Sequence, residues 1–223
     1  MPDLAKVYRD QAADAALGEH WSGPPVLVDR LASLLGTSAG DTVLDVGSGI
    51  GGPARRLAEL TGCRVVGVDV VVPALREAAR RSRGTAGSPR FVAGSAQALP
   101  IGEARVDQVW ALGLVAHVPR IDAFARETVR ALRPGGVVAV TEVFWDGSRP
   151  PRFGASAPQP WRPLTEGAVA AALGAAGLDA VRVLPWPGHG SPGALEPSDS
   201  LLRRDLADGR LVPGLLTARK PSS

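Results

Sequence analysis

The chain has 223 residues, 45% of them hydrophobic, and a net charge of only +3. That length supports one domain with a full core, and no apolar run reaches membrane-spanning length. All 25 basic residues except Lys6 and Lys220 are arginine, which reads as compositional bias rather than the footprint of a nucleic-acid binder, and a single cysteine, Cys63, excludes an internal disulfide.

The opening "MPDLAKVYRD" lacks the charged-then-apolar layout of a signal segment, so a soluble cytoplasmic protein is expected. Leu4 to Leu35 read as helical, with a break at Gly23-Pro24-Pro25. Asp41 to Val46 is a short apolar strand. Pro53 to Thr61 is a helix, with Pro53 suited to its first turn and Gly62 to its end. Cys63 follows as a small buried filler, and Arg64 to Val70 is a second strand. Pro73 to Arg83 forms a second helix. Arg76, Arg80, Arg81, Arg83 and Arg90 make the densest basic stretch, read as a solvated helix face. Arg90 to Gly94 and Val106 to Leu112 are the third and fourth strands, with a helix from Arg120 to Leu132 after them. "RPGG" (Arg133 to Gly136) turns into a fifth strand, Val137 to Val143. Asp146 to Pro163 is Pro/Gly-rich. Thr165 caps an Ala-rich helix to Ala176, and "DAVRVLP" is a sixth strand. A loose stretch from Trp186 to Pro197 precedes "GLLTARK", a possible seventh.

Strands alternating with helices predict an α/β fold with a doubly wound, mostly parallel seven-stranded sheet. Ligands of such sheets sit at the carboxyl ends of the strands. We expect an N-terminal helical cover over residues 1–40 and a ligand-binding domain over 41–223, with lid segments near 144–164 and 185–200.

The first strand runs into "VLDVGSGIGG", in which Gly47, Gly49 and Gly52 satisfy the dinucleotide pattern G-x-G-x-x-G. Asp45, two residues upstream, sets this loop apart. A carboxylate there repels a pyrophosphate but suits an ammonium group. Asp69 ends the second strand, where a carboxylate accepts the hydroxyls of a ribose. A ligand with a ribose, an ammonium group and no phosphate is S-adenosylmethionine.

In order and spacing, "VLDVGSGIGG", "VVGVDV", "GSAQALPI" and "LRPGGVVAV" resemble the motifs of class I S-adenosylmethionine-dependent methyltransferases. The nearest likeness is to the branch with the ubiquinone-, sterol- and tocopherol-type enzymes and many natural-product methyltransferases. It covers Asp41 to Val143 well and the rest loosely. The resemblance implies a Rossmann-like methyltransferase fold and a cofactor that leaves as S-adenosylhomocysteine. It implies that Gly47, Ser48, Gly49 and Gly51 wrap the methionine moiety and Asp45 orients its ammonium end. Asp69 takes the ribose, Val70 lies against the adenine, and Leu112 lies under the methionine portion. The family's usual adenine-binding Asp is replaced by Ser95, so Ser95, Ala96 and Gln97 supply neutral adenine contacts.

Methyl transfer is an in-line displacement in which the protein mainly supplies orientation and a dry pocket. His117, after the fourth strand, is a candidate for substrate contact or base, with capping or packing as its alternative. His20 is a second candidate. Glu142, ending "VTE", either binds a polar substrate group or makes a strand-end contact to a neighbouring loop. His189, between glycines, reads as a surface residue. Tyr8 and Trp21 at the N-terminal end, with Phe144, Trp145, Phe153, Trp161 and Trp186 in the two loose stretches, suit a lid over an apolar or aromatic small molecule, with pinning of the proline-rich loops to the body as the alternative. Neither a metal nor a nucleic acid is expected: Asp107 starts its strand, and "ALGLVAHV" carries no Pro-Pro-aromatic run. Two alternatives remain. One is a protein of this fold that uses the cofactor without methyl transfer, such as a cyclase or binding protein. The other is an NAD-dependent oxidoreductase, which Asp45 disfavours.

Overall fold

The apolar runs become the strands of a single sheet in the computed structural model, which describes residues 25–85, 87–153, 161–185 and 200–222. In chain order the elements are α1 (Pro25–Leu35), β1 (Thr42–Val46), α2 (Gly52–Thr61), β2 (Arg64–Asp69), α3 (Val72–Arg81) and β3 (Arg90–Ala93). Then come β4 (Val106–Leu112), a 3-10 turn (Val115–His117), α4 (Ile121–Ala131), β5 (Leu132–Trp145), α5 (Glu166–Ala175), β6 (Asp179–Pro185), α6 (Ser200–Ala207) and β7 (Leu211–Arg219). The sheet order is β3-β2-β1-β4-β5-β7-β6. The pairings among β1 to β5 are parallel, and β7 is antiparallel to both neighbours. The doubly wound, mostly parallel expectation therefore holds.

Alternation along the strands sorts side chains into two cores. Leu44, Val46, Val109, Val138 and Val140 point to one face and pack with Phe124 of α4 and Leu173 of α5. Val43, Trp110, Leu112, Ala139 and Leu215 point to the other and pack with Leu27 and Leu31 of α1 and Leu57 of α2. Each fully buried Leu or Val contributes about 1.5–3 kcal/mol. Residues 25–35 are thus part of the core, while residues 1–24 lie outside the described residues. Cys63 is fully buried in the second core, as a filler should be. Arg80 and Arg81 both pair with Glu77, so the basic run on α3 is a salt-bridged helix face.

Three expectations need correction. "RPGG" is not a turn before β5 but a bulge within it. The β4 register passes from Val106↔Leu132 to Gln108↔Val137, and Arg133–Gly136 are thrown out of step. The Gly135 N–H donates to the Lys220 carbonyl at 2.9 Å, and Arg133 pairs with Asp107 at 2.7 Å, which holds the bulge in place. Second, β5 does not stop at Val143. β7 pairs with it as far as Trp145↔Leu211, so Phe144 and Trp145 are strand residues. Phe144 is fully buried in the first core and belongs to no lid. Third, α6 arises from a segment in which no helix was expected. The Thr165 cap is as expected, its hydroxyl accepting from the Ala168 N–H at 3.1 Å.

Candidate active site

The site is built where β1 breaks into glycine. Gly47, Gly49 and Gly51 have φ of +77°, +51° and +75°. A side chain at Gly51 would be strained by that backbone, and its Cβ would stand 2.6 Å from the Phe91 ring. At Gly47 the Cβ would stand 2.7 Å from Leu114. The Gly47 and Ser48 N–H groups both donate to the Val68 carbonyl, folding the loop back over β2. Gly51 then caps α2, with Pro53 in the first turn, and Gly62 closes that helix.

Asp69 makes contacts that spacing alone does not reveal. One carboxylate oxygen accepts from the Gly49 N–H at 2.9 Å and the other from the Val71 N–H at 2.8 Å. The acid at the end of β2 thus braces the glycine loop. Burial pushes its pKa up, and these backbone donors push it back down.

Asp45 differs. It is 5% exposed, and its Oδ2 has no hydrogen-bond partner among the described residues. Burial, then repulsion from Asp69, raises its pKa to about 7. The Ser48 hydroxyl beside it is also buried without a partner. An orphaned buried carboxylate is costly unless a cation or donor completes it. This donor set fits the ammonium end of S-adenosylmethionine and does not fit a diphosphate. Val70, next to Asp69, leaves 62% of its surface exposed, an apolar shelf at the end of β2.

The segment from Ser95 to Ala98 is a tight turn. Ser95 pairs with Ala98 and its hydroxyl accepts from the Gln97 N–H at 3.1 Å. The Gln97 carbonyl accepts from the Arg120 N–H at 3.0 Å, tying the turn to the start of α4. The Ser95 hydroxyl proton and the Gln97 amide N–H groups stay available as donors, and Ala96 is half-buried between them. Leu112 is buried at the end of β4.

His117 ends the 3-10 turn, half-buried, with its N–H donating to the Leu114 carbonyl. Glu142 is buried on the opposite face of the sheet from Asp45. Its two oxygens accept from the Ala116 N–H at 3.2 Å and the Val143 N–H at 3.0 Å. It therefore makes the strand-end contact to a neighbouring loop, and burial raises its pKa to about 7. Arg162, which no motif marked, holds the same turn from above: its N–H donates to the Ala116 carbonyl at 2.7 Å, and its guanidinium donates to the Pro119 carbonyl. Of the aromatic lid, Phe153 is buried and meets half-buried Trp161 edge-on, centroids 5.3 Å apart. Tyr8, His20, Trp21, Trp186 and His189 lie outside the described residues. No described helix is long and apolar enough to cross a membrane.

Residues 44–140 match the family described as a methyltransferase domain. A sterol 24-C-methyltransferase of Eremothecium gossypii is 40% identical over 114 residues, which are 50% of this chain and 31% of that enzyme. This chain matches less than half the length of other curated relatives as well. Among solved structures, the [4+2]-cyclase SpnF superposes with a TM-score of 0.72 at 24% identity, over 89% of this chain and 81% of that one. Geranyl diphosphate C-methyltransferase from Streptomyces coelicolor A3(2), solved with S-adenosyl-L-homocysteine, gives 0.74 at 18% identity, over 86% and 77%. These two likenesses establish the fold. Over residues 44–140 the chain is similar to the methyltransferase-domain family, and its sheet has the fold of solved methyltransferases.

Proposed function

We propose that the chain transfers the methyl group of S-adenosylmethionine to carbon or oxygen of a small, largely apolar or aromatic molecule. The orphaned Asp45 carboxylate at the mouth of the glycine loop carries this reading, because a cationic amino-acid tail completes it. The relatedness to a sterol 24-C-methyltransferase and the likeness to a geranyl diphosphate C-methyltransferase support an apolar acceptor.

The bound cofactor supplies the electrophilic methyl group and its thioether leaving group. The chain's residues supply placement. Asp45 holds the ammonium, Asp69 the ribose hydroxyls, and Val70 packs against the adenine. Ser95 and Gln97 present neutral donors to the adenine edge, and Leu112 supports the methionine portion. Glu142 is a positioning residue that fixes the 3-10 turn, and with it His117, on the acceptor side. There His117 takes the proton of a hydroxyl acceptor, or the proton a carbon acceptor loses.

Calorimetry with S-adenosylhomocysteine and with NADH tests the cofactor assignment; tight NADH uptake with no response to S-adenosylhomocysteine would overturn it. The likeness to a [4+2]-cyclase over 89% of this chain favours a second reading, in which the cofactor is held but not consumed. Stoichiometric S-adenosylhomocysteine formed with product selects transfer, and product without it selects the cyclase.

A further inference from the structure

With Asp69, Val70 and Ser95 assigned to the nucleoside, the β2–β3 half of the sheet edge is committed to the cofactor. The part of the carboxyl edge left for the acceptor lies over β4 and β5. Two polar residues stand at that end of β5. Glu142 faces the first core, and both its oxygens already hold backbone N–H groups. Thr141 faces the other way, onto the face that carries Asp45 and Leu112. The register pairs it with Leu112 on β4 and Leu215 on β7, so apolar side chains flank it on both sides. Thr141 is 1% exposed, and its hydroxyl has no hydrogen-bond partner among the described residues. Its backbone is satisfied, since the Gly113 N–H donates to its carbonyl at 2.8 Å. Valine fills the same space on a strand without burying a hydroxyl that nothing pairs, and Val138 and Val140 sit just before it on β5.

Building on the methyl-transfer reading, we propose that Thr141 is a specificity residue whose hydroxyl hydrogen-bonds an oxygen of the acceptor, so that the site selects an apolar molecule bearing a hydroxyl or carbonyl oxygen over the same skeleton without one. Leu112 and Leu215 supply the apolar walls around that contact. A site built to pair a substrate oxygen rejects the analogue lacking it, because the protein's own polar group is then left dry.

The test uses the full chain saturated with S-adenosylhomocysteine and two probes of one shape, 2-naphthol and 2-methylnaphthalene, with affinities read by ligand-observed NMR. The wild type is expected to favour 2-naphthol by about tenfold, the worth of one hydrogen bond. Thr141→Val is expected to bring the two within about twofold while S-adenosylhomocysteine affinity stays unchanged. Equal affinities in the wild type, no binding of either probe, or a preference that survives Thr141→Val overturns the proposal. So does a loss of S-adenosylhomocysteine affinity in the variant, which would assign the hydroxyl to the cofactor. A wild type that fails to bind S-adenosylhomocysteine at all overturns the underlying reading instead. Thr141→Ser, which keeps the hydroxyl, is expected to retain the preference and separates its loss from a packing defect.

Discussion

Cofactor affinity should follow the protonation of Asp45. Without ligand, its pKa is raised to about 7, by burial first and by Asp69 second. An ammonium group binds the ionised form, so binding expels a proton whenever the pH lies below that value. At pH 5.5 only about 3% of the side chain is ionised, and affinity falls roughly 30-fold from its plateau, about 2 kcal/mol at 1.36 kcal/mol per pKa unit. The cofactor's amino group, next to its own free carboxylate, keeps its charge through this range. S-adenosylhomocysteine affinity should therefore climb from about pH 5.5 and level off by about pH 8. Calorimetry in buffers of different ionisation enthalpy measures both the affinity and the proton count. Near pH 6 binding should release close to one proton. Asp45→Asn should bind weakly at every pH and lose the acid limb. An affinity independent of pH between 5.5 and 7, or an acid limb that persists in Asp45→Asn, refutes the ammonium assignment.

Three further outcomes are expected. Asp69→Ala should weaken S-adenosylhomocysteine binding by about 1.5–3 kcal/mol, the range for hydrogen bonds to a charged group, and should also loosen the loop held through Gly49; titration calorimetry reads it. Glu142 has a folded-state pKa of about 7, above its unfolded value, so the native state holds that proton more tightly. Its contribution to stability is complete below about pH 4.5 and is lost as pH rises through about 7, a change of up to about 3 kcal/mol. Urea melts across that range should show the decline in the wild type and a smaller one in Glu142→Gln. Asp205 on α6 is fully buried, accepts from the Phe153 N–H at 2.8 Å, and lies 3.5 Å from the Arg152 guanidinium. Asp205→Ala removes the buried acceptor shared by the Arg152 and Phe153 N–H groups and should cost about 1.5–3 kcal/mol in the same assay, while an unchanged midpoint would show that the anchor carries no energy.

The parallel half of the sheet was legible because each strand is an apolar run bounded by a glycine or proline. The glycine loop was legible because its glycines and Asp45 are adjacent in sequence. What escaped depends on pairing between distant segments. Phe144 and Trp145 look like loop aromatics beside a Pro/Gly-rich stretch, and only β7, some seventy residues on, makes them a strand. α6 has Leu201, Leu202 and Leu206 over eight residues, too short a pattern to separate from a turn. Arg162 carries no motif, because its tie to the 3-10 turn runs through backbone atoms that any residue supplies. Thr141 escaped for the opposite reason: a β-branched residue in a strand looks like ordinary filler, and its dry hydroxyl shows only in three dimensions.

The place of β7 bears on how the chain is made. It lies between β5 and β6 although it comes after both in the sequence, and β6 has no other partner among the described strands. As the chain leaves the ribosome, β5 keeps a bare edge and β6 stays undocked until residues 211–219 emerge. This side of the sheet therefore closes only once β7 has been made, and a chain stopped short of Leu211 would display a long apolar strand edge open to aggregation.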